Sequence, residues 1–347
     1  MKRFSKFYFK SFEFDKLSFK AKFNYSFDDE IFFEEIIDFR SELFLVRDDL
    51  DLEVLNNILF HIHIALGISY YKSFPTCELI VESGVLNDYQ IVFWKKFYLN
   101  WLGEFLYINK INPEWLFNFI NNSDKIYDKK SFLVNNKCLV PVWWWKDSIV
   151  SIELLKKSGI DFDLFVFWKD DELKNNTSKI SWKSILLVKR KISDNLFKLN
   201  KEWYYNWHIP ITWLIAFIME AVWYIYNYKY LVLSNEISAN FWNTLWWWIE
   251  INHQYSKSLY FEKDFSEYVN NYISSEVKYF SLLRWMYEVK IAELFSKYAK
   301  KYFSDFSSCN NNFKILNKSD KLKEWKYWCN SCPKCAFVFS ILPNSFS

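Results

Sequence analysis

From residue 4 to residue 40 the chain alternates aromatic with polar positions, as in FYFKSFEFDKLSFKAKFNYSF. A period of two is expected of strands with one buried face, so an N-terminal β-rich subdomain is predicted. From Leu55 to Tyr71 and from Asp88 to Ile108 the apolar spacing becomes helical, with the strand-like ELIVESG between. From Lys137 onward the order is strand (CLVPV), loop (WWWKDS), helix (IVSIELLKKSG), strand (DFDLFVF), strand (KSILLVKR), an apolar helix over 209–227, and strand (KYLVLSN). That succession predicts an α/β fold with a doubly wound parallel sheet, whose ligands bind beyond the carboxyl ends of the strands. Residues 258–302 read as helical, and cysteines close the chain. The domains expected are 1–130, 131–305 and a metal-binding segment over 306–347.

At 347 residues the chain is long enough for a full core. Lys and Arg number 44 against 41 Asp and Glu, and the net charge of +3 is spread without a long basic run, so nucleic acid is not an expected partner. The N-terminal MKRFSKFYFKSFEFDK interrupts its aromatics with charges and lacks the apolar stretch of a secretory signal, which predicts a cytoplasmic protein. The apolar run IPITWLIAFIMEAVWYIY contains Glu220 and leads into a strand, so a buried helix is expected and membrane insertion is not.

Glycine and tryptophan change the picture. Glycine is ordinarily about 7% of residues; here there are 4 glycines and 19 tryptophans, and together they approach that share. The triplets Trp143-Trp144-Trp145 and Trp246-Trp247-Trp248 stand in polar, turn-like surroundings. Three indoles in a loop expose apolar area with no evident partner, whereas three glycines let backbone N–H groups approach an anion. The expectation is that UGA encodes glycine in the source genome and that many of these tryptophans stand at UGA codons.

As written, WWWKDS matches no phosphate motif, and Asp147 and Ser148 read equally as caps of the following helix. With glycine at 143–145 the segment becomes PVGGGKDS, which resembles the pyrophosphate loop of the ATP pyrophosphatase superfamily. In that resemblance Trp143, Trp144, Trp145 and Ser148 occupy the pyrophosphate-holding positions and Lys146 supplies charge. Cys329, Cys332 and Cys335 form C-x-x-C-x-x-C, with Cys309 upstream. Four thiolates suit a tetrahedral zinc site, although spacing alone does not separate zinc from an iron–sulfur cluster or from packed thiols. Cys77 and Cys138 read as core residues. Asn206 and His208 (NWHIPIT), Asn235, Glu236 and Ser238 (SNEIS), and Asn252, His253, Gln254, Ser256 and Lys257 (NHQYSKS) are polar knots beside apolar elements, read as caps or site residues. His61 and His63, in an apolar helix, read as ordinary core or surface histidines.

Taken together, GISYYK (67–72), ESG (82–84), LGEF (102–105), LVPVWWWKDS (139–148), YYNWHIP (204–210), SNEISANFWN (234–243), EINHQYSKS (250–258), SLLR (281–284), FSSCN (306–310) and WCNSCPKCAFVF (328–339) resemble the UDP-N-acetylmuramoyl-L-alanyl-L-glutamate epimerase family, MurL. Trp101, Trp143 to Trp145, Trp207 and one or two of Trp246 to Trp248 fall where that family has glycine. The resemblance implies an ATP pyrophosphatase-type core of the adenine nucleotide alpha hydrolase-like kind. It implies ATP-dependent inversion of the terminal glutamate of a UDP-muramoyl dipeptide through an acyl-adenylate, with Mg²⁺ on the phosphates and Zn²⁺ at the cysteines. His208, Glu236, His253 and Lys257 are then the acid, base and metal or phosphate candidates, and Asp147, Asn206 and Asn235 join the loop as nucleotide contacts. Two alternatives stand beside it: another adenylating ATP pyrophosphatase of carboxylate-to-nitrile or nucleoside-modifying type, or an inactive binding protein if the indoles fill the cradle.

Overall fold

The computed structural model describes residues 3–142, 145–168, 172–202, 204–207, 211–247, 249–313 and 327–342. The chain folds as two compact units and passes between them more than once. Unit 1 comprises Met1–Asn136, Val188–Lys229 and Ala239–Lys278; unit 2 comprises Lys137–Leu187, Tyr230–Ser238 and Tyr279–Ser347.

In unit 1 the alternating N-terminal run forms three strands, β1 (Lys6–Asp15), β2 (Lys20–Phe27) and β3 (Ile31–Asp38), paired antiparallel in sequence order. Their aromatic positions supply the buried face, where Phe7, Phe9, Phe23, Tyr25 and Phe33 lie. After helix α1 (Leu52–Tyr71), strand β4 (Glu78–Val81) adds parallel to β1; after α2 (Asp88–Asn109), β5 (Asn118–Asn121) adds parallel to β4. Asn87 begins α2 with a capping box, its side chain accepting from Gln90 N–H while the Gln90 side chain accepts from Asn87 N–H. Helix α1 is apolar enough to cross a membrane by length and composition, yet 83% of its 18-residue apolar window is buried inside the protein. His61 and His63 on it are buried core residues: His61 Nδ1 lies 2.9 Å from the Tyr268 hydroxyl while its Nε2 has no hydrogen-bond partner among the described residues, and His63 lies 3.0 Å from Ser83 Oγ and 3.1 Å from the Asn24 carbonyl. Burial lowers both imidazoles to about 3 and keeps them neutral.

Unit 2 contains β6 (Cys138–Pro141), α3 (Lys146–Lys157), β7 (Phe162–Trp168), α4 (Glu172–Ser181) and the start of β8 (Ile185–Lys191). The rest of β8 belongs to unit 1, where it pairs antiparallel with β3. Unit 1 also holds α5 (Asp194–Lys201) and the apolar α6 (Ile211–Tyr226), buried as expected with Glu220. The chain returns to unit 2 as β9 (Tyr230–Leu233), parallel to β6 on the side opposite β7. β6 therefore has its successor on one flank and a later strand on the other, which makes its carboxyl end a topological switch point. Between β9 and the end of the chain lie, in unit 1, the hairpin β10 (Thr244–Trp246) and β11 (Ile249–Ile251) and helix α7 (Leu259–Tyr272). Strand β12 (Lys278–Ser281) then adds beside β9, followed by α8 (Glu288–Tyr298) and α9 (Pro333–Ile341). β12 corrects the all-helical expectation for 258–302: its four residues complete a sheet edge that no local periodicity announces. Cys138 is buried as expected, whereas Cys77 is exposed.

Several tryptophans stand in backbone conformations that favour glycine. Helix α3 ends with Gly159 at φ +65°, its N–H donating to Lys156 O and the Ile160 N–H to Leu155 O, both at 3.1 Å. Helix α4 ends in the same pattern, Trp182 N–H to Lys179 O at 3.3 Å and Lys183 N–H to Ser178 O at 3.2 Å, with Trp182 at φ +59° and 88% exposed. This is the Schellman position, usually glycine because a Cβ is disfavoured there. β10 and β11 pair up to Trp246 and Ile249, and Trp247, which follows β10, has φ +56°. Tight turns of this length favour Asn or Gly at such angles. Trp168 closes β7 at φ +89°.

Replacing Trp182 by glycine should therefore stabilise the chain by about 1 kcal/mol, by relief of left-handed strain. A higher urea midpoint for Trp182→Gly with an unchanged slope is expected; an unchanged or lower midpoint would contradict it.

Candidate functional site

The candidate site is built where β6 hands over to α3. β6 is buried along its whole length, and α3 is held on two sides of itself. Ile152 and Leu155 pack with Val140, Phe162, Leu164 and Val232 of the sheet, whereas Ile149 and Val150 pack with Ile291 and Phe295 of α8 and Val338 of α9. The start of α3 is thus fixed at the carboxyl end of the strand. Trp145 is its N-cap and makes no side-chain cap bond. This corrects the capping roles expected of Asp147 and Ser148: Ser148 Oγ donates to the Trp145 carbonyl at 3.0 Å, and Asp147 turns to Lys146. With no side chain capping them, the first N–H groups of α3 keep the anion-attracting character of a helix N-terminus.

Lys146 is 3% exposed, and its Nζ donates to Asp147 Oδ1 at 2.6 Å and to the Glu288 carboxylate. Burial opposes its charge, but the two carboxylates outweigh that, so its pKa lies above the ordinary lysine value. Glu288, on the first turn of α8, is pushed up by burial and by the charge of Asp147, with Lys146 pulling the other way. Lys334, on α9, places its Nζ 5.8 Å from the centre of the Trp145 ring, so a second ammonium stands near the loop. Glu288 and Lys334 are the two residues sequence reasoning missed. An acidic residue in a helix's first turn reads as an ordinary dipole partner, and Lys334 is hidden inside the cysteine motif.

On the same carboxyl edge, β9 runs out into Ser234, whose Oγ donates to Ser151 Oγ of α3 at 2.7 Å. Asn235 Nδ2 donates to Ser281 Oγ at 3.1 Å, and buried Arg284 donates to Ser281 Oγ at 3.1 Å and to the Glu236 carbonyl at 3.3 Å. Glu236 is largely buried and its carboxylate accepts from the Ser238 N–H and hydroxyl, a turn-capping arrangement. The structure thus brings Trp145, Lys146, Asp147, Ser148, Asn235 and Glu236 into unit 2. Asn206, His253 and Lys257 belong to unit 1. There Asn206 is exposed, His253 Nδ1 pairs with Glu104 Oε2 at 2.6 Å, and Lys257 sits in a short 3₁₀ turn, Tyr255–Lys257. Trp143, Trp144 and His208 lie outside the described residues.

The four C-terminal cysteines converge. The sulfurs of Cys309, Cys329, Cys332 and Cys335 all lie within 4.8 Å of one another, with Cys332–Cys335 at 3.5 Å and Cys329–Cys335 at 3.9 Å. Tetrahedral zinc with bonds of about 2.3 Å sets its sulfurs about 3.8 Å apart, so the donor set fits that ion. N–H groups point at sulfur as they do around thiolates: Cys335 N–H to Cys332 Sγ and Cys329 N–H to Cys309 Sγ, each at 3.4 Å, and Asn311 Nδ2 to Cys329 Sγ at 3.1 Å. Pro333 starts α9 at the first helical position, directly after Cys332 as N-cap.

A helix-after-strand sheet with its polar loops gathered at one carboxyl edge defines unit 2 as an α/β domain. Residues 1–282 match the MurL N-terminal domain and residues 305–347 the MurL C-terminal domain, and the chain belongs to the MurL family. It is 31% identical over 282 residues to the UDP-N-acetyl-alpha-D-muramoyl-L-alanyl-L-glutamate epimerase of Xanthomonas oryzae pv. oryzae, covering 81% of this chain and 61% of that protein. It is 30% identical over 351 residues to each of two proteins of the same name. The Micromonospora sp. match covers 98% of this chain and the Salinispora tropica match 99%, and each covers 74% of the relative.

The Lys146–Asp147–Glu288 cluster generates a test by urea unfolding. Glu288→Leu should cost about 1–3 kcal/mol, because Lys146 loses a buried partner. Adding Lys146→Met should recover part of that loss. Strictly additive single-variant costs would show that the pair does not interact.

Proposed function

We propose that the chain is an ATP-dependent epimerase that inverts the terminal glutamate of UDP-N-acetylmuramoyl-L-alanyl-L-glutamate in peptidoglycan precursor synthesis. The observation that carries the reading is the joining of MurL membership with an uncapped helix start after a buried parallel strand at a switch point. In this reading ATP is split between its α- and β-phosphates and the α-carboxylate of the glutamate becomes an acyl-adenylate. Such activation makes the α-proton more acidic. Removing the α-proton of a free carboxylate places two negative charges on adjacent atoms; converting the carboxylate to an acyl-adenylate removes the first of these charges and lets the enolate delocalise, so a base of moderate pKa suffices. Reprotonation from the opposite face and hydrolysis then give the D-glutamate product, AMP and pyrophosphate.

Positions 143–145, the N–H groups at the start of α3 and Ser148 hold the pyrophosphate end, with Lys146 supplying charge. Asp147 and Glu288 are the nearby carboxylates for Mg²⁺, which would neutralise phosphate charge when bound. Glu236, His208, His253 and Lys257 remain the acid–base candidates, and Asn206 and Asn235 the further nucleotide contacts. Cys309, Cys329, Cys332 and Cys335 hold a structural Zn²⁺ that fixes the start of α9 and with it Lys334.

The reading also assigns glycine to the tryptophans at 143–145, 182, 207 and 247. What supports it is the low glycine content together with Trp182 and Trp247 standing where the backbone favours glycine. One comparison tests both parts: the chain with glycine at those positions, and the chain as written, are each incubated with ATP, Mg²⁺ and the UDP-muramoyl dipeptide. The glycine form should release AMP and pyrophosphate only with the dipeptide present and yield D-glutamate on acid hydrolysis, while the tryptophan form should release neither. Equal activity of the two would end the glycine assignment, and release of AMP without epimerisation would favour another adenylating enzyme.

A further inference from the structure

At the C-terminal end of α1 a lysine is buried with no carboxylate partner among the described residues. Lys72 is the C-cap of that helix and 7% exposed, and Ser73, next in the chain, is fully buried. Lys72 Nζ donates to the carbonyl of Trp207, and the Ser73 carbonyl accepts from Tyr205 N–H at 3.1 Å. The turn at 72–73 is therefore clamped to the 205–207 segment, which runs directly into His208. Ser73 Oγ has no hydrogen-bond partner among the described residues.

The buried carboxylate of this neighbourhood is already engaged. Glu35, fully buried, takes Arg190 in two hydrogen bonds, at 2.6 and 3.1 Å, and accepts from the Tyr70 hydroxyl at 2.7 Å. Arg190 spends a further donor on Ser69 Oγ at 2.8 Å. Among the described residues Lys72 meets no carboxylate, and an ammonium held in a low-dielectric interior without one is costly. Burial first, and then the charge of Arg190, lowers the Lys72 ammonium to about 8. The carbonyls at the end of α1 favour a cation there, but they account neither for a lysine buried near Arg190 nor for the unpaired hydroxyl beside it.

We propose that Lys72, with the buried hydroxyl of Ser73, is a binding site for an anionic group of phosphate or carboxylate class belonging to the substrate. The assignment of that anion to the substrate rests on the epimerase reading; the site itself does not.

Isothermal titration of the full 347-residue chain with UDP, with L-alanyl-L-glutamate and with inorganic phosphate tests this. It is run at pH 8.5 in buffers of different ionisation enthalpy. A lysine that is partly neutral in the free protein must take up a proton when an anion binds, so binding should be accompanied by uptake of a fraction of a proton. Lys72→Met should weaken the bound probe at least tenfold and abolish the uptake, and Ser73→Ala should weaken it a few-fold. Lys72→Arg, which stays charged throughout, should keep affinity within about fivefold but lose the uptake; it carries the test if the methionine variant does not fold.

Binding of UDP would assign the site to the diphosphate end of the substrate, and binding of the dipeptide would assign it to the glutamyl end. Binding of phosphate alone, dependent on Lys72, would uphold the anion site and overturn its link to that substrate. If no probe binds, or all bind the wild-type and Lys72→Met chains alike without proton uptake, Lys72 is a helix cap and the proposal fails.

Discussion

The candidate site depends on one buried ammonium. Lys146 is the first residue of α3, nearly excluded from water, and such a position is tolerable only because Asp147 and Glu288 surround it with negative charge. That constraint sets the local architecture. α8 must present its first turn to α3, and the apolar contacts of Ile149 and Val150 with Ile291 and Phe295 bring it there. In the proposed reaction the same ion cluster would change partners, because a phosphate arriving at the helix start competes with two carboxylates for one lysine, and a divalent cation would draw the carboxylates away.

The second constraint is on the backbone. Gly159 and Trp182 end successive helices of one unit with the same hydrogen-bond pattern and nearly the same positive φ, although a Cβ is disfavoured at both positions. The hairpin turn at Trp247 repeats the conflict in the other unit. At Trp182 and Trp247 backbone geometry favours glycine independently of the loop motif.

What the sequence disclosed was what is local. The alternation of residues 4–40 became three paired strands because one face of each is buried, and the cysteine spacing became a thiol cluster because Cys329 and Cys332 lead into the helix whose first turn carries Cys335. β12 was hidden because four residues between helices carry too little pattern to separate strand from helix. Glu288 was hidden because its partner is 142 residues away, and Lys72 because burial without a counter-ion is a property of packing. Glu236 was legible as a polar knot at the end of a strand; its carboxylate accepts from Ser238 in this structure, and local sequence does not distinguish a capping carboxylate from a catalytic one.

The central claim is that the glutamyl carboxylate is activated by transfer of AMP at the β6–α3 loop. The most direct measurement labels both α-carboxylate oxygens of the terminal glutamate with ¹⁸O and follows the label by mass spectrometry through one turnover. Attack of that carboxylate on the α-phosphorus leaves one of its oxygens in AMP when the adenylate is hydrolysed at the carbonyl, so the account predicts one ¹⁸O in AMP and none in pyrophosphate. Epimerised product with unlabelled AMP would contradict it, because the carboxylate would then never have been joined to the nucleotide.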